Sequence, residues 1–245
     1  MLSTNKSIVF RYSLMLLLLF QVMNLRAQNK APNSIYDWFD SKVGKENLAI
    51  NNGVILTNYD RVLNNNDRFY FSNYLNGSVV YDNQIYNNIL LNYDILNDDL
   101  IIKPSGEFDK NAIILIKEKV SSFSVDGINY INLDASPTKN LDFINGFYEE
   151  HLIANKFTFY SKHKKDKSER INGDKIYDDF TEKTYYALFY NTTFYEISSK
   201  KSVIVIFPDY KKFISQFYSD NDYLEKANKT QFLNNLFLFL NNKIK

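Results

Sequence analysis

The chain has 245 residues, with 29 Lys+Arg against 28 Asp+Glu, two His and no Cys. That length suits one domain with at most a small appendage. Near-neutral charge removes the electrostatic footprint of a nucleic-acid binder. The absence of Cys removes disulfides, thiol nucleophiles, iron–sulfur clusters and Cys-type zinc sites. The seven Gly leave little room for glycine-rich phosphate loops.

Residues 1–27 read as a secretory signal peptide. Lys6 and Arg11 supply positive charge, residues 12–23 a short apolar core, and Leu25-Arg26-Ala27 the edge of a cleavage site. The apolar core is shorter than the roughly 20 residues of a membrane-spanning helix. Removing residues 1–27 takes away Lys6, Arg11 and Arg26 and no acidic residue, leaving 26 basic against 28 acidic. The expected product is exported to the periplasm, the cell envelope or beyond.

Ile35, Trp38, Phe39 and Val43 fall at helical spacing, with Gly44 at the stop, which predicts a short lead helix with Trp38 packed inward. Asn51-Asn52-Gly53 predicts a small hairpin across 48–56. From 69 to 133 the pattern is strand after strand. Residues 69–71 and 78–81 are β-favouring, Asp82-Asn83-Gln84 marks a turn, and 85–95 alternates. In that alternation Ile85, Ile89, Leu91, Tyr93 and Ile95 share one face and Tyr86, Asn88, Leu90, Asn92 and Asp94 the other. Asn97-Asp98 turns the chain into 100–102. Residues 112–125 read as two strands or one bent strand, and Asp126-Gly127 as a hairpin turn into 128–133.

Residues 147–160 are β-prone, with Ala154-Asn155 as a turn. The charged run 163–170 reads as a solvated loop, and 184–190, 193–197 and 202–207 as three more strands. The period then changes. Pro208-Asp209 opens a helix carrying Phe213, Ile214, Phe217 and Tyr218 on one stripe. Asn228 caps a final helix, whose apolar stripe is Phe232, Leu233, Leu236, Phe237 and Leu240. The fold class is therefore α+β and mainly β: an antiparallel meander-like sheet, or a sandwich or partial barrel, with C-terminal helices packed on it. The expected layout is a cleaved signal at 1–27, a β-rich domain at 28–207 and a helical segment at 208–245.

Chemistry-bearing patterns are sparse. Glu149-Glu150-His151 lacks the second His of a zinc-protease helix, and on a strand only Glu149 and His151 share a face. Asp94, Asp98 and Asp99 flank a turn, where carboxylates serve backbone geometry as well as catalysis. Asp220-Asn221-Asp222 begins like a calcium loop but lacks its Gly and its closing Glu. No nucleophile elbow, Walker loop or dinucleotide fingerprint is present. The residues indicate no catalytic, metal or cofactor site. They point to a non-enzymatic binding or scaffold protein whose partner is an envelope protein or a glycan, with Phe232, Leu233, Leu236, Phe237 and Leu240 as candidate contacts. The competing expectation is a secreted hydrolase using Asp94, Asp98, Asp99, Glu149 or Glu150.

The run Gly77-Ser78-Val79-Val80-Tyr81-Asp82-Asn83-Gln84-Ile85-Tyr86, then Leu91-Asn92-Tyr93-Asp94 and Asp98-Asp99-Leu100, carries a resemblance over residues 70–245. Val120-Ser121-Ser122-Phe123, Gly146-Phe147-Tyr148 and Phe157-Thr158-Phe159-Tyr160 extend it. The chain resembles a group of small exported β-rich proteins of Bacteroidota-type bacteria. The resemblance implies compartment and fold, and it transfers no activity and no functional residue.

Overall fold

The structure is a computed structural model. It describes Trp38, Lys42, Gly44 and residues 48–63, 66–104, 111–135, 143–153 and 156–244. The chain divides into two units, Met1–Lys42 and Val43–Lys245. In the first, only Trp38 and Lys42 are described. Both are helical, and Trp38 is exposed rather than packed inward. The signal-peptide segment and the 154–155 turn lie outside the described residues.

The second unit is built on one 11-stranded antiparallel sheet. Its strands are β1 (Val54–Ile55), β2 (Leu75–Tyr81), β3 (Gln84–Asp94), β4 (Asp99–Lys103), β5 (Ile113–Ile114), β6 (Val120–Val125), β7 (Ile128–Asn132), β8 (Phe147–Ile153), β9 (Phe157–Asn172), β10 (Lys175–Tyr190) and β11 (Thr193–Glu196). Their order is β1-β5-β4-β3-β2-β6-β7-β8-β9-β10-β11. Two meanders are joined where β2 pairs with β6. Two-residue turns with positive φ close the hairpins at Asp82-Asn83, Asp126-Gly127 and Asn191-Thr192, matching the right-handed strand twist. Four helices follow: α1 (Lys200–Ile206), α2 (Lys211–Asp220), α3 (Asp222–Ala227) and α4 (Lys229–Lys243).

Several local expectations are corrected. Residues 48–56 form no hairpin: a 3-10 turn spans Ala49–Asn51, and β1 pairs with the distant β5. Residues 69–71 contribute only a bridge from Phe69 to Asp94. In β3 the alternation changes phase at Asn88, whose φ of 57° inserts an extra residue opposite Ser78. Tyr86 is thereby buried on the face of Leu91 and Tyr93, and Ile85 turns away. Residues 163–170 are not a loop but the middle of β9. Residues 202–207 lie mainly in α1, because Ser199 and Ser202 form a reciprocal capping box at its start. The helical part thus begins at Lys200, ahead of Pro208.

Side-chain parity along the ladders places the cores. Phe123 pairs with Tyr130, Tyr130 with Glu149, Glu149 with Ser161, and Ser161 with Tyr186, so these share one face. On that face a first core gathers Val79, Tyr81, Leu91, Tyr93, Phe123 and Phe147. Further along, Phe157, Phe159 and Leu188 meet the helices in a second core. The opposite face carries a smaller cluster of Tyr148, Tyr160, Ala187 and Phe194, with Leu133 and Ile144 packed on it.

Candidate functional site

The five apolar side chains of α4 expected as partner contacts do not form a surface. Phe232, Leu233, Leu236, Phe237 and Leu240 are each 0% exposed. Phe237 packs on Phe157 and Phe159, at ring-centroid distances of 6.3 and 5.3 Å. The stripe is covered by the sheet, because β9 and β10 would otherwise expose Phe157, Phe159 and Leu188 to water.

The carboxylates fall in two groups, Asp94, Asp98 and Asp99 around the turn between β3 and β4, and Glu149 and Glu150 on β8. Asp94 accepts from the backbone of Leu96 and Asn97 at 3.0 and 3.1 Å and faces Arg68 at 3.4 Å, so it closes the turn after β3. Asp98 accepts from Tyr93 Oη at 2.5 Å and from Lys162 Nζ at 2.9 Å, with Lys117 Nζ at 3.3 Å. Burial pulls the Lys162 amine down, against the opposing pull of Asp98. Gly146, at φ 66°, makes this approach possible, since a Cβ there would land on the Asp98 carboxylate. Burial raises the Asp99 carboxyl, which lies 3.8 Å from Lys117. Glu149 and Glu150 are consecutive on β8 and point to opposite faces. Asp98 and Asp99 share Lys117 as an ion-pair partner, at 3.3 and 3.8 Å.

A polar cluster that the sequence only half disclosed lies between the two cores, on their shared face. Glu149 presents Oε1 to His151 Nε2 and Oε2 to His163 Nε2, both at 3.5 Å. His163 reaches Glu182 through Nδ1 at 2.9 Å and Tyr70 Oη through Nε2 at 3.2 Å, with the Tyr70 ring tilted by 34° at a centroid distance of 4.4 Å. Burial lowers His163, but hydrogen bonds to Glu149 and Glu182 outweigh it and the net shift is upward. Burial lowers His151, and there it prevails. Burial raises Glu149, but His163 and His151 outweigh it and hold the carboxyl below its ordinary value. Tyr70 is pushed up to about 12 by burial and by the charges of Glu149 and Glu182.

This arrangement holds charge and is not a catalytic relay. Ser161 Oγ lies 3.0 Å from His151 Nε2, but Glu149 approaches that same nitrogen, whereas a triad acid binds the other one. Ser161 is also fully buried. Glu149 offers a different oxygen to each imidazole, so the three groups are strung in a line. Among the described residues, no three His, Asp or Glu side chains are gathered to hold a metal ion.

The remaining feature is a projecting ribbon. β9 and β10 stay paired from Phe157↔Tyr190 to Asn172↔Lys175, while β8 reaches only to Ser161 and β11 only to Ala187. Residues 162–172 therefore carry about 35 Å of ribbon past the last β8 partner. A strap of residues 60–63 and 66–70 holds its base. Lys165 Nζ donates to the carbonyls of Asp67 and Phe69 at 2.7 and 2.9 Å. Lys167 bridges Asp60 and Asp178 at 2.8 and 3.0 Å, and Arg68 forks onto Asp60 at 2.6 and 3.0 Å. At the outer edge of β10, Asp178 N donates to the Arg61 carbonyl and Arg61 N to the Asp178 carboxylate. Beyond the strap the tip is exposed, and Ile171 and Ile176 stand directly opposite each other at 76% and 54% exposure.

No family model, no curated protein and no solved structure matches this chain.

Proposed function

We propose that this chain is an exported, non-enzymatic binding or scaffold protein of the bacterial cell envelope, and that the β9–β10 ribbon is its contact arm. The observation that carries the reading is the pair Ile171–Ile176, held in register at the end of a two-stranded ribbon that outruns its sheet. Isolated two-stranded ribbons are marginal in water, and exposed aliphatic pairs lose free energy there. The strap and its ion pairs around Asp60 keep this ribbon extended. An arm that meets another surface accounts for that arrangement. Export is supported by the composition of residues 1–27. Among the described residues, no helix is long and apolar enough to cross a membrane.

The test is crosslinking in the native host with a tagged full-length chain, followed by mass spectrometry of envelope and soluble fractions. The double variant Ile171→Ser/Ile176→Ser is the comparison. The expected result is an envelope partner captured by the unmodified chain and lost at least about tenfold in the variant, a difference of about 1.4 kcal/mol in binding. Stability should change by less than about 0.5 kcal/mol, as for surface positions generally. Equal capture by both chains would remove the ribbon from the contact.

A further inference from the structure

We infer that Lys162 Nζ and the side-chain amide of Asn145 join in an isopeptide bond, with Asp98 carrying the proton, so that the chain cross-links itself. The inference does not depend on the reading of the ribbon as a contact arm, and its test involves no partner.

The three groups meet at the open end of the β8–β9 hairpin. Lys162 follows Ser161, the last β9 residue with a partner on β8, and Asn145 precedes β8, which begins at Phe147. Lys162 Nζ donates to Asn145 Oδ1 at 3.1 Å, to the Asn145 backbone carbonyl and to Asp98 Oδ2 at 2.9 Å. With a C=O bond of about 1.23 Å, Asn145 Cγ lies within about 4.3 Å of the amine. Rotation of the amide about its Cβ–Cγ bond brings the pair toward the separation of reacting atoms, about 3–3.5 Å. Lys162 is only 6% exposed, and burial draws its amine down against the pull of Asp98. A desolvated lysine of this kind is a nucleophile.

The step balances within these groups. Nζ passes a proton along its hydrogen bond to Asp98 Oδ2, leaving a neutral amine and a neutral acid, as removal from water favours. The Nζ lone pair forms a bond to Cγ, and the carbonyl electron pair moves to Oδ1. Asp98 gives its proton to the amide nitrogen and takes the second proton from Nζ. The carbonyl re-forms, the Cγ–Nδ2 bond breaks, and ammonia leaves with its electron pair. Ammonia then takes the proton from Asp98, restoring the carboxylate. One ammonium ion is released and nothing is oxidised. Tyr93 Oη at 2.5 Å and Lys117 Nζ at 3.3 Å hold Asp98 in place and remain its partners once the Lys162 charge is gone. Asn145 is exposed and lines an open cavity with Lys162, which gives ammonia a path to water. The bond closes the hairpin at the end away from its turn, where β9 leaves β8, in a chain with no Cys for a disulfide.

The test is mass spectrometry of the full chain as its host processes it, intact and after trypsin. The unmodified protein should weigh one ammonia less than its processed sequence. Trypsin should release residues 140–156 and 157–164 as one branched peptide, uncut at Lys162. Lys162→Arg keeps a cation beside Asp98 but has no nucleophilic amine, and Asn145→Ala removes the acceptor at an exposed position. Each should unfold cooperatively and have its full mass. Asp98→Asn should slow the linkage about a hundredfold or more, the contribution of a positioned proton carrier. An unmodified chain of full mass would overturn the inference. So would a loss of ammonia that persists in Lys162→Arg, as a succinimide at an Asn-Gly pair would give, or one without the branched peptide. Linkage at an unchanged rate in Asp98→Asn would overturn the role of the carboxylate.

Discussion

Both histidines of the chain lie against Glu149, and their surroundings move them in opposite directions. His163 titrates above its unfolded value of about 6.5. Its contribution to stability is therefore full below that value and is lost as the pH rises through the raised folded value. His151 titrates below its unfolded value, so it costs stability at low pH, and that cost disappears as the pH climbs to about 6.5. The two opposing slopes should give a stability maximum near neutrality. Urea unfolding from pH 5 to 9 should show His163→Gln losing on the order of 1–3 kcal/mol near pH 6, with no further decline on the alkaline side. His151→Gln should flatten the acid side instead. A His163→Gln profile parallel to the unmodified one would mean that the imidazole is not charged in the cluster. The sequence placed Glu149 and His151 on one face, because alternation along a single strand suffices for that. It missed His163, because that residue joins the cluster through the β8–β9 pairing.

At the scale of elements, misreadings occur where tertiary pairing overrides local pattern. The middle of β9 has polar residues on both faces, so it lacks the apolar alternation by which a half-buried strand is recognised. Its partner is β10, matched residue for residue across a turn at Gly173. In α1, Val203, Ile204, Val205 and Ile206 carry a β-branched signature, yet the Ser199–Ser202 capping box and burial of Val203 make it a helix. The final helix was legible because Asn228 caps it, accepting from Gln231 N at 2.9 Å, and its stripe follows the helical period. The close strand packing beside the slip in β3 can be tested on β2. Gly77 faces Ile89 on β3 and Val125 on β6, and a Cβ there would land on the carbonyl of Ser124 and the side chain of Leu91. Gly77→Ala should destabilise by about 1–3 kcal/mol, the usual cost of overpacking a fixed contact. A urea midpoint unchanged within error would show that β2 and β6 part easily, contrary to the close packing of the first core.

For the whole molecule, one sheet face carries two cores of different construction. The first gathers short segments such as Leu48–Ile50 onto the strands, and the second exists only because the helices cover Phe157, Phe159 and Leu188. The sequence showed strands first and helices last, which sets this division. It did not show which strands neighbour one another, since the β2–β6 and β1–β5 contacts join distant segments. The charged cluster of Glu149, His151 and His163 lies where the two cores meet, so stability of the second core should bear on the first. Ending the chain after residue 228 removes five side chains that are fully buried. Their burial is worth about 7–15 kcal/mol at roughly 1.5–3 kcal/mol each, comparable with the whole net stability of a domain. The truncated chain should lose cooperative unfolding and bind a hydrophobic dye. Leu236→Ala, a milder change, should cost about 2–5 kcal/mol while keeping one cooperative transition. A truncated chain that keeps the unmodified urea midpoint would show that the helix is dispensable to the sheet. It would then return Phe232, Leu233, Leu236, Phe237 and Leu240 to the role of a surface for another molecule.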